Sequence, residues 1–239
     1  MPKKCKTERL SQFSLKSLML LFVVVALPLA FLQLKQNREQ QLAEACQPFE
    51  ELGALVHHSP ASTPEPSWTE LFHHGRHQIK SISFWEGSLT DQQLQSLHDD
   101  MHSLPKLSRL LVKSTKITDA GVECVADLRQ LTCVALNGTT ISDVSVKRLA
   151  LERGIQMEHL ALPETSVTDL GLSVIADLPN INTLDLGGTQ ITDEGLNHLL
   201  RLKSLRCLVL DRTSVTSNGL RRLQQVRPHI SFDSADLMD

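Results

Sequence analysis

The histidines His73, His74 and His77 have the spacing that comes nearest to a metal site in this sequence. A catalytic zinc site needs three converging ligands supported by further hydrogen bonds. The triplet reads H-H-x-x-H, without the glutamate of H-E-x-x-H or a suitably spaced carboxylate. His98 and His102 lie one helical turn apart, but two imidazoles alone make an incomplete site. We therefore predict no metal and no cofactor.

The cysteines suggest little chemistry by their spacing. None of the five forms a C-x-x-C pair, and their odd number and irregular spacing indicate neither a zinc site nor a disulfide framework. We expect small, buried or half-buried thiols at Cys5, Cys46, Cys124, Cys133 and Cys207.

The sequence contains an internal repeat, and the fold of that repeat determines where the side chains within it lie. Five segments share the frame L-x-x-L-x-L-x-x-T-x-I-T-D-x-G-L-x-x-L-x-x-L-x-x. They start 24, 26, 24 and 24 residues apart, at Leu107, Leu131, Met157, Ile181 and Leu205. A weaker copy starts at Ile79. Because chance does not give five in-frame copies, the sequence predicts about six stacked units.

Each position of the frame has a physical role. The L-x-x-L-x-L stretch alternates like a short strand with inward-pointing aliphatic side chains. The Thr at the ninth position, such as Thr165, is expected to hydrogen-bond the backbone where the strand ends. The pair Thr168-Asp169 predicts a helix start with a capping hydroxyl and a carboxylate near the positive end of the helix dipole. The repeat glycine, such as Gly171, is expected to let the helix approach the sheet.

A single repeat cannot bury its aliphatic face, so the repeats must stack on one another. The frame therefore predicts an α/β solenoid with a parallel sheet inside and helices outside. Since a helix takes more lateral room than a strand, we expect the sheet to be concave. We assign the repeats to residues 79–228, and a C-terminal cap and tail to 229–239.

The N-terminal residues predict a membrane anchor. Leu18–Leu34 contains no charge and would span roughly 25 Å as a helix, at the short end for crossing a bilayer. Five Lys/Arg precede this run and two follow it, which places the N-terminus in the cytoplasm and the repeats outside it. A cleaved signal peptide and a buried core helix are the alternatives. We assign 1–17 to a basic cytoplasmic segment and 18–34 to a transmembrane helix.

Residues 35–78 are predicted to contain a juxtamembrane helix, a linker and an N-terminal cap. The polar stretch Asn37–Leu55 suits a helix that ends near Gly53, and the proline-rich segment 57–68 suits a spacer. The cap is expected to begin with Trp68, Leu71 and Phe72.

The charge distribution argues against a nucleic-acid partner. Residues 1–39 hold seven Lys/Arg and two Glu, which leaves 17 Lys/Arg and 25 Asp/Glu in residues 40–239. A nucleic-acid-binding domain should instead carry a basic patch on its folded part.

The frame resembles the T-D-x-G-L class of leucine-rich repeats, found in the cysteine-containing, F-box-associated type and in bacterial proteins. The whole chain is similar to a bacterial group, abundant in planctomycetes, that joins a basic segment, one hydrophobic helix and a few such repeats. FSLKSLMLLFVVVALPLAFL and the following REQQ-x-x-E-A carry the N-terminal likeness. The resemblance implies a membrane-anchored leucine-rich-repeat solenoid and supplies no catalytic residues. Ser145 and Gln93 depart from the repeat glycine.

The concave strand positions are the expected binding surface. In the first copy they include Ser81 and Ser83. A protein partner is expected to dock on this face, with Trp85, Leu111 and Val209 as apolar contacts. The binding residues we predict are Trp85, Arg109, Leu111, Lys113, His159, Asp185, Val209 and Asp211.

Catalysis is not expected. Cys133 and His159 share one column of adjacent repeats and could form a Cys–His nucleophile. An open sheet offers no pocket or oxyanion hole for it, so we predict no enzyme. Asn137-Gly138-Thr139 matches a glycosylation acceptor, which matters only in a eukaryotic secretory host.

The sequence thus predicts a non-catalytic, membrane-tethered protein-interaction module that faces outside the cytoplasm. The alternatives are an intracellular F-box-like substrate adaptor of the ubiquitin-ligase type, a hydrolase that uses the histidine-rich linker or Cys133, and a secreted binding or structural envelope protein. Residues 36–78 are too short and proline-broken for an F-box-like module.

Overall fold

The computed structural model of the protein describes residues 27–58, 79–85, 89–113, 116–151 and 156–233. Eight strands form one sheet in sequence order. They are β1 Ala54–His58, β2 Ile79–Trp85, β3 Arg109–Lys113, β4 Cys133–Asn137, β5 His159–Ala161, β6 Thr183–Asp185, β7 Cys207–Val209 and β8 Ser231–Asp233. From β2 to β8 neighbouring strands are parallel, and equivalent repeat positions pair in register. The predicted α/β fold with a parallel sheet is confirmed.

Helices return the chain from most strands to the next. They are α1 Leu27–Glu50, α2 Asp91–Ser96, α3 His98–His102, α4 Asp119–Ala126, α5 Asp143–Leu151, α6 Asp169–Ile175, a 3-10 helix Gly195–Arg201 and α7 Ser217–Val226. The hydroxyl groups of Thr118 and Thr168 accept hydrogen bonds from the second residue of α4 and of α6. The predicted caps at Thr118 and Thr168 are therefore confirmed. The helix predicted to start at Thr192 is instead a 3-10 helix that begins at Gly195 and has no side-chain cap.

The core is a set of aliphatic layers, one for each repeat. Leu110, Val134, Leu160, Leu184 and Leu208 are register partners on consecutive strands, and each is at most 1% exposed. Burying such a side chain stabilises by roughly 1.5–3 kcal/mol. Because each layer is covered by its neighbours, this stabilisation depends on stacking.

The ninth-position threonines close the strands as predicted. Their hydroxyl groups donate to the carbonyl oxygen three residues earlier at 2.9, 2.7, 2.5 and 2.7 Å, in Thr139, Thr165, Thr189 and Thr213 respectively. Thr115, the equivalent residue of the preceding repeat, lies outside the described residues.

An aspartate at the first position of a helix, or two residues before it in the case of Asp193, joins two neighbouring repeats. Asp143 accepts from the backbone N–H of Thr168 at 2.8 Å and from its hydroxyl at 2.7 Å. Four more aspartates bond the equivalent Thr or Ser of the following repeat in the same way. We call the whole set the carboxylate ladder: Asp91, Asp119, Asp143, Asp169 and Asp193. The carboxylate therefore serves the next repeat as well as its own helix. Ser217 takes this position in the last described repeat.

The repeat glycines make room for the ladder. A Cβ atom added at Gly195 would overlap Oδ1 of Asp169, and Gly171 has the same relationship to Asp143. In both cases the nearest atom belongs to the preceding repeat, and not to the sheet as the sequence suggested. Ser145 replaces this glycine in one repeat, and its hydroxyl donates to Oδ1 of Asp119.

Burial raises the pKa of Asp119, but hydrogen bonds from Ser142 and Ser145 outweigh it and hold the pKa of this carboxyl group below its ordinary value.

The region before the repeats differs from its predicted form. α1 runs unbroken across the expected boundary between 34 and 35, and it ends earlier than the helix expected over 37–55. Gly53, with φ +77°, follows it, and β1 then pairs antiparallel with β2 where a spacer was expected to begin. Phe49 of α1 is fully buried in the core, so α1 and β1 close the first repeat.

No described helix is both long and apolar enough to cross a membrane. Residues 18–26 of the predicted anchor lie outside the described residues, as do Trp68, Leu71 and Phe72 of the predicted cap.

Candidate binding surface

One side of the sheet is not covered by the repeat helices. Alternate residues of five parallel strands point to it, and we call this surface the open face. Its members on the strands are Arg109, Leu111, Lys113, Cys133, Ala135, Asn137, His159, Ala161, Thr183, Asp185, Cys207 and Val209. Pro163, Gly187 and Asp211 lie two residues after the ends of β5, β6 and β7, respectively, and we include them in it.

The register places seven of the eight predicted binding residues on this side of the sheet, and the eighth, Asp211, lies two residues beyond the end of β7. Arg109, Lys113 and His159 are exposed. Four others are half-buried, namely Leu111, Asp185, Val209 and Asp211. Two further positions, Ser81 and Ser83 on β2, were predicted to face a partner. They are only 4% and 3% exposed, so that prediction is wrong.

Trp85 and Lys113 form a contact pair at the N-terminal end of the open face. They are register partners on β2 and β3. The Nζ atom of Lys113 lies 5.7 Å from the ring centroid of Trp85, and 49% of Trp85 is exposed. A cation–π contact of this kind holds an aromatic side chain in place while its remaining surface stays open to a partner.

The middle of the face is built from small side chains. Ala135 is 8% exposed, and its register partner Ala161 is half-buried. Next to them, Oδ1 of Asn137 is buried and accepts no hydrogen bond from the described residues. Small residues allow a partner's backbone to approach the sheet closely.

The charges on the open face are separated along the sheet. Arg109 and Lys113 lie on β3, whereas Asp185 and Asp211 lie on or just after β6 and β7. Four strand spacings of about 4.8 Å put roughly 19 Å between β3 and β7. The face therefore has a basic end and an acidic end.

A pair of rim residues was missed by the sequence analysis. An oxygen of Glu164 lies 2.8 Å from a guanidinium nitrogen of Arg212. Both occupy the eighth frame position, two repeats apart, and both have positive φ, 58° and 54°. Gly188 holds the same position between them, so the two side chains meet across a residue that has none. The sequence did contain a signal for this pair, because Glu164 and Arg212 have opposite charges at the same position of the repeat frame.

Burial raises the pKa of the Cys133 thiol, and the nearby guanidinium of Arg109 only partly opposes this. A catalytic thiol needs its pKa lowered instead. Cys133 and His159 are register partners, as predicted, but the structure gives no hydrogen bond between them.

The histidine pair predicted on one helical turn is present, with His98 and His102 ring centroids 6.1 Å apart. Within the described ranges, no group of three or more His, Cys, Asp or Glu side chains could hold a metal ion. His73, His74 and His77 lie outside those ranges.

Residues 177–199 match the family model described as leucine rich repeat. The protein is similar to an internalin from Listeria monocytogenes, with 24% identity and a TM-score of 0.49 over 69% of this chain and 49% of that one. It is also similar to a leucine-rich-repeat protein from Leptospira interrogans, with 20% identity and a TM-score of 0.46 over 65% of this chain and 37% of that one.

No curated protein sequence matches this one. The chain spans about half of the internalin chain, 49%, and 37% of the Leptospira chain. Together, the parallel strand ladder and the matched repeat at 177–199 define an α/β fold of the leucine-rich-repeat type.

Proposed function

We propose that this protein is a non-catalytic module that binds a protein partner on its open face. The observation that carries this is the composition of the face. Half-buried Leu111 and Val209 and exposed Trp85 surround a centre of small residues, and charges lie at both ends. Protein interfaces combine apolar anchors in this way with a polar rim.

We further propose that the module is tethered to a membrane by Leu18–Leu34 and faces outside the cytoplasm, as in the bacterial group that the sequence resembles. The run is uncharged, and the basic residues before it outnumber those after it. The tether is tested by alkaline extraction of membranes, and the orientation by protease added to intact cells. Release of the protein at high pH, or protection of the repeats from external protease, would contradict this part.

Two alternatives are less well supported. An F-box-like adaptor needs a helical module ahead of the repeats, but described residues 27–58 provide one helix and a strand of the sheet itself. A hydrolase based on Cys133 would need an activated thiol, and burial acts in the opposite direction.

Site-specific photo-crosslinking in the native host tests the binding surface. A benzophenone amino acid replaces half-buried Leu111 on the open face, and in a matched control it replaces exposed Lys147 on α5. We expect discrete protein adducts from the first position and none from the second. Adducts from Lys147 alone would show that a different surface binds.

A further inference from the structure

The C-terminal part of the stack carries the opposite charge to the repeats before it. Residues 195–227 hold seven Lys/Arg and one Asp, which gives a net charge of +6. Residues 79–194 hold nine Lys/Arg and 16 Asp/Glu, which gives −7. A negatively charged surface therefore attracts one end of the stack and repels the remainder.

Exposed basic and apolar side chains meet where the last two described helices end. Leu200 and Arg201 are the last two residues of the 3-10 helix, and Val226 is the last residue of α7. Leu200 is 41% exposed and Val226 is 62% exposed. Both line one groove between the two helices, together with Arg222. With Lys203, which is also exposed, these residues form a surface that we call the basic corner: Leu200, Arg201, Lys203, Arg222 and Val226.

The side chain of Arg227 fixes the ends of these two helices to each other. Arg227 is buried, and its guanidinium group donates to the carbonyl oxygen of Leu200 at 3.1 Å and to that of Leu202 at 2.7 Å. Since Arg227 directly follows Val226, this contact holds Leu200 and Val226 on one surface. Both apolar side chains are therefore kept exposed on a fixed backbone.

The cations of the basic corner are only partly neutralised. Arg201 pairs with Asp177 at 3.2 Å. Lys203 and Arg222 form no ion pair with the described residues. Asp193 lines the groove, but its carboxylate already accepts two hydrogen bonds in the carboxylate ladder. Two cations thus remain available beside two exposed apolar side chains, a combination typical of surfaces that bind anionic membranes.

Helix α1 approaches the sheet from the edge on which the basic corner lies. Gly53 reverses the chain between α1 and β1, and Phe49 packs in the same core as Ala54, so α1 lies back along β1. Because β1 is antiparallel to β2, the N-terminal end of α1 points to the edge where β2–β8 begin. The repeat helices end at this edge too, since each returns the chain to the start of the next strand. Leu29 and Leu32, in the N-terminal part of α1, are 57% and 53% exposed.

The length of α1 shows that it extends beyond this edge. α1 has 24 residues and β1 has five. At the usual rise per residue, these lengths correspond to about 36 Å and about 17 Å. The N-terminal part of α1 therefore projects past the edge of the sheet, and the proposed membrane tether Leu18–Leu34 continues into it.

We propose that the basic corner binds the headgroups of an anionic membrane surface, an inference that rests on the proposed tether. The edge from which α1 projects faces the bilayer, so Lys203 and Arg222 meet lipid phosphates. Leu200 and Val226 enter the apolar boundary below the headgroups. Nucleic acid also offers phosphates to the cations, but it gives the two apolar side chains no such environment. The contact holds the strands upright on the membrane and leaves the open face accessible to a protein partner.

Fluorescence quenching by brominated lipid tests this contact in the full-length protein. Trp68→Phe and Trp85→Phe remove the two native tryptophans, and Val226→Trp then places one reporter in the basic corner. In the matched control, Lys147→Trp places it at an exposed position of α5. The vesicles consist of brominated phosphatidylcholine, either alone or with about a third phosphatidylglycerol. With the anionic lipid, we expect at least threefold more quenching at position 226 than at position 147, because bromine quenches only at short range.

Charge reversal provides the second readout. In the Val226→Trp protein, Lys203→Glu combined with Arg222→Glu should lower the quenching at least threefold, because the corner then repels the phosphates. Lys116→Glu combined with Lys147→Glu changes the net charge equally at exposed positions elsewhere, and it should leave the quenching nearly unchanged. Salt at 1 M should also lower the quenching, since the Debye length there is only about 3 Å.

The outcomes separate this inference from the tether. Equal quenching at position 226 with and without phosphatidylglycerol, or quenching that survives charge reversal, would overturn the inference. So would a reporter that responds to double-stranded DNA and not to vesicles, which would assign the corner to nucleic acid. An alkaline wash of the same vesicles reports the tether. Protein that is retained but not quenched at position 226 contradicts only the basic corner, whereas quenched protein that the wash removes contradicts only the tether.

Discussion

Asp169 and Thr192 lie 23 residues apart in sequence and are joined by two hydrogen bonds: the backbone N–H of Thr192 donates to one carboxylate oxygen at 2.9 Å, and its hydroxyl donates to the other at 2.6 Å. The hydroxyl of Thr192 in turn accepts from the N–H of Glu194, the residue before the 3-10 helix Gly195–Arg201. One residue pair therefore joins the stacking of two repeats to the turn that leads into a helix.

Removing one rung of the carboxylate ladder should destabilise the whole stack. The N–H and the hydroxyl of Thr168 each donate to one carboxylate oxygen of Asp143. Asp143→Asn replaces one of these oxygens with an NH2 group, which cannot accept, so at least one hydrogen bond is lost. We expect a loss of about 1–3 kcal/mol in the free energy of unfolding, measured by urea unfolding of the full-length protein. Glu123→Gln, at an exposed position of α4, is the matched control and should cost less than about 0.5 kcal/mol.

The glycine and the carboxylate should be energetically coupled. Gly195→Ala forces a Cβ atom onto Oδ1 of Asp169, so it should destabilise the protein by about 1–3 kcal/mol. The same change in an Asp169→Ala background should cost at least about 1 kcal/mol less, because the obstructing oxygen is gone. A double-mutant cycle measures this difference, and strict additivity would show that the glycine serves another purpose.

Acid should weaken the rung at Asp119. Hydrogen bonds from Ser142 and Ser145 outweigh burial and lower the pKa of this group in the folded state. Its stabilising contribution is therefore complete above the unfolded pKa of about 3.9 and is lost as the pH falls through the lower folded pKa. Asp119→Asn should cost more at pH 6 than at pH 2.5 in urea unfolding. An equal cost at both values would rule out this ionic contribution.

The sequence predicted the parallel sheet, the caps and the threonine closures because each follows from a local pattern that recurs in five copies. It did not predict the role of Gly171, since that depends on Asp143 in another repeat. The sequence also did not predict β1, because this strand lies outside the repeats and has no recurring pattern. It is recognised only by its antiparallel pairing with β2. The burial of Ser81 and Ser83 was missed because alternation gives the face of a strand but not what covers that face.

The eighth frame position should accept glycine and disfavour β-branched residues. Arg212 has a φ of 54°, in the left-handed region that costs a non-glycine residue roughly 1 kcal/mol. Arg212→Gly relieves that cost and loses an exposed ion pair with Glu164 that is worth about 0.2–1 kcal/mol. We expect a change in unfolding free energy within about 1 kcal/mol of zero. Arg212→Val should be clearly destabilising by comparison, because a β-branched side chain fits this backbone poorly.

The affinity of a crosslinked protein partner tests the central claim, binding through the open face, most directly. Surface plasmon resonance would compare the full-length protein with Arg109→Glu on the open face and Lys147→Glu on α5. Both variants replace an exposed cation with an anion. We predict at least tenfold weaker binding for Arg109→Glu, a loss of about 1.4 kcal/mol or more, and less than a twofold change for Lys147→Glu. Unchanged affinity for Arg109→Glu together with a large loss for Lys147→Glu would contradict the account.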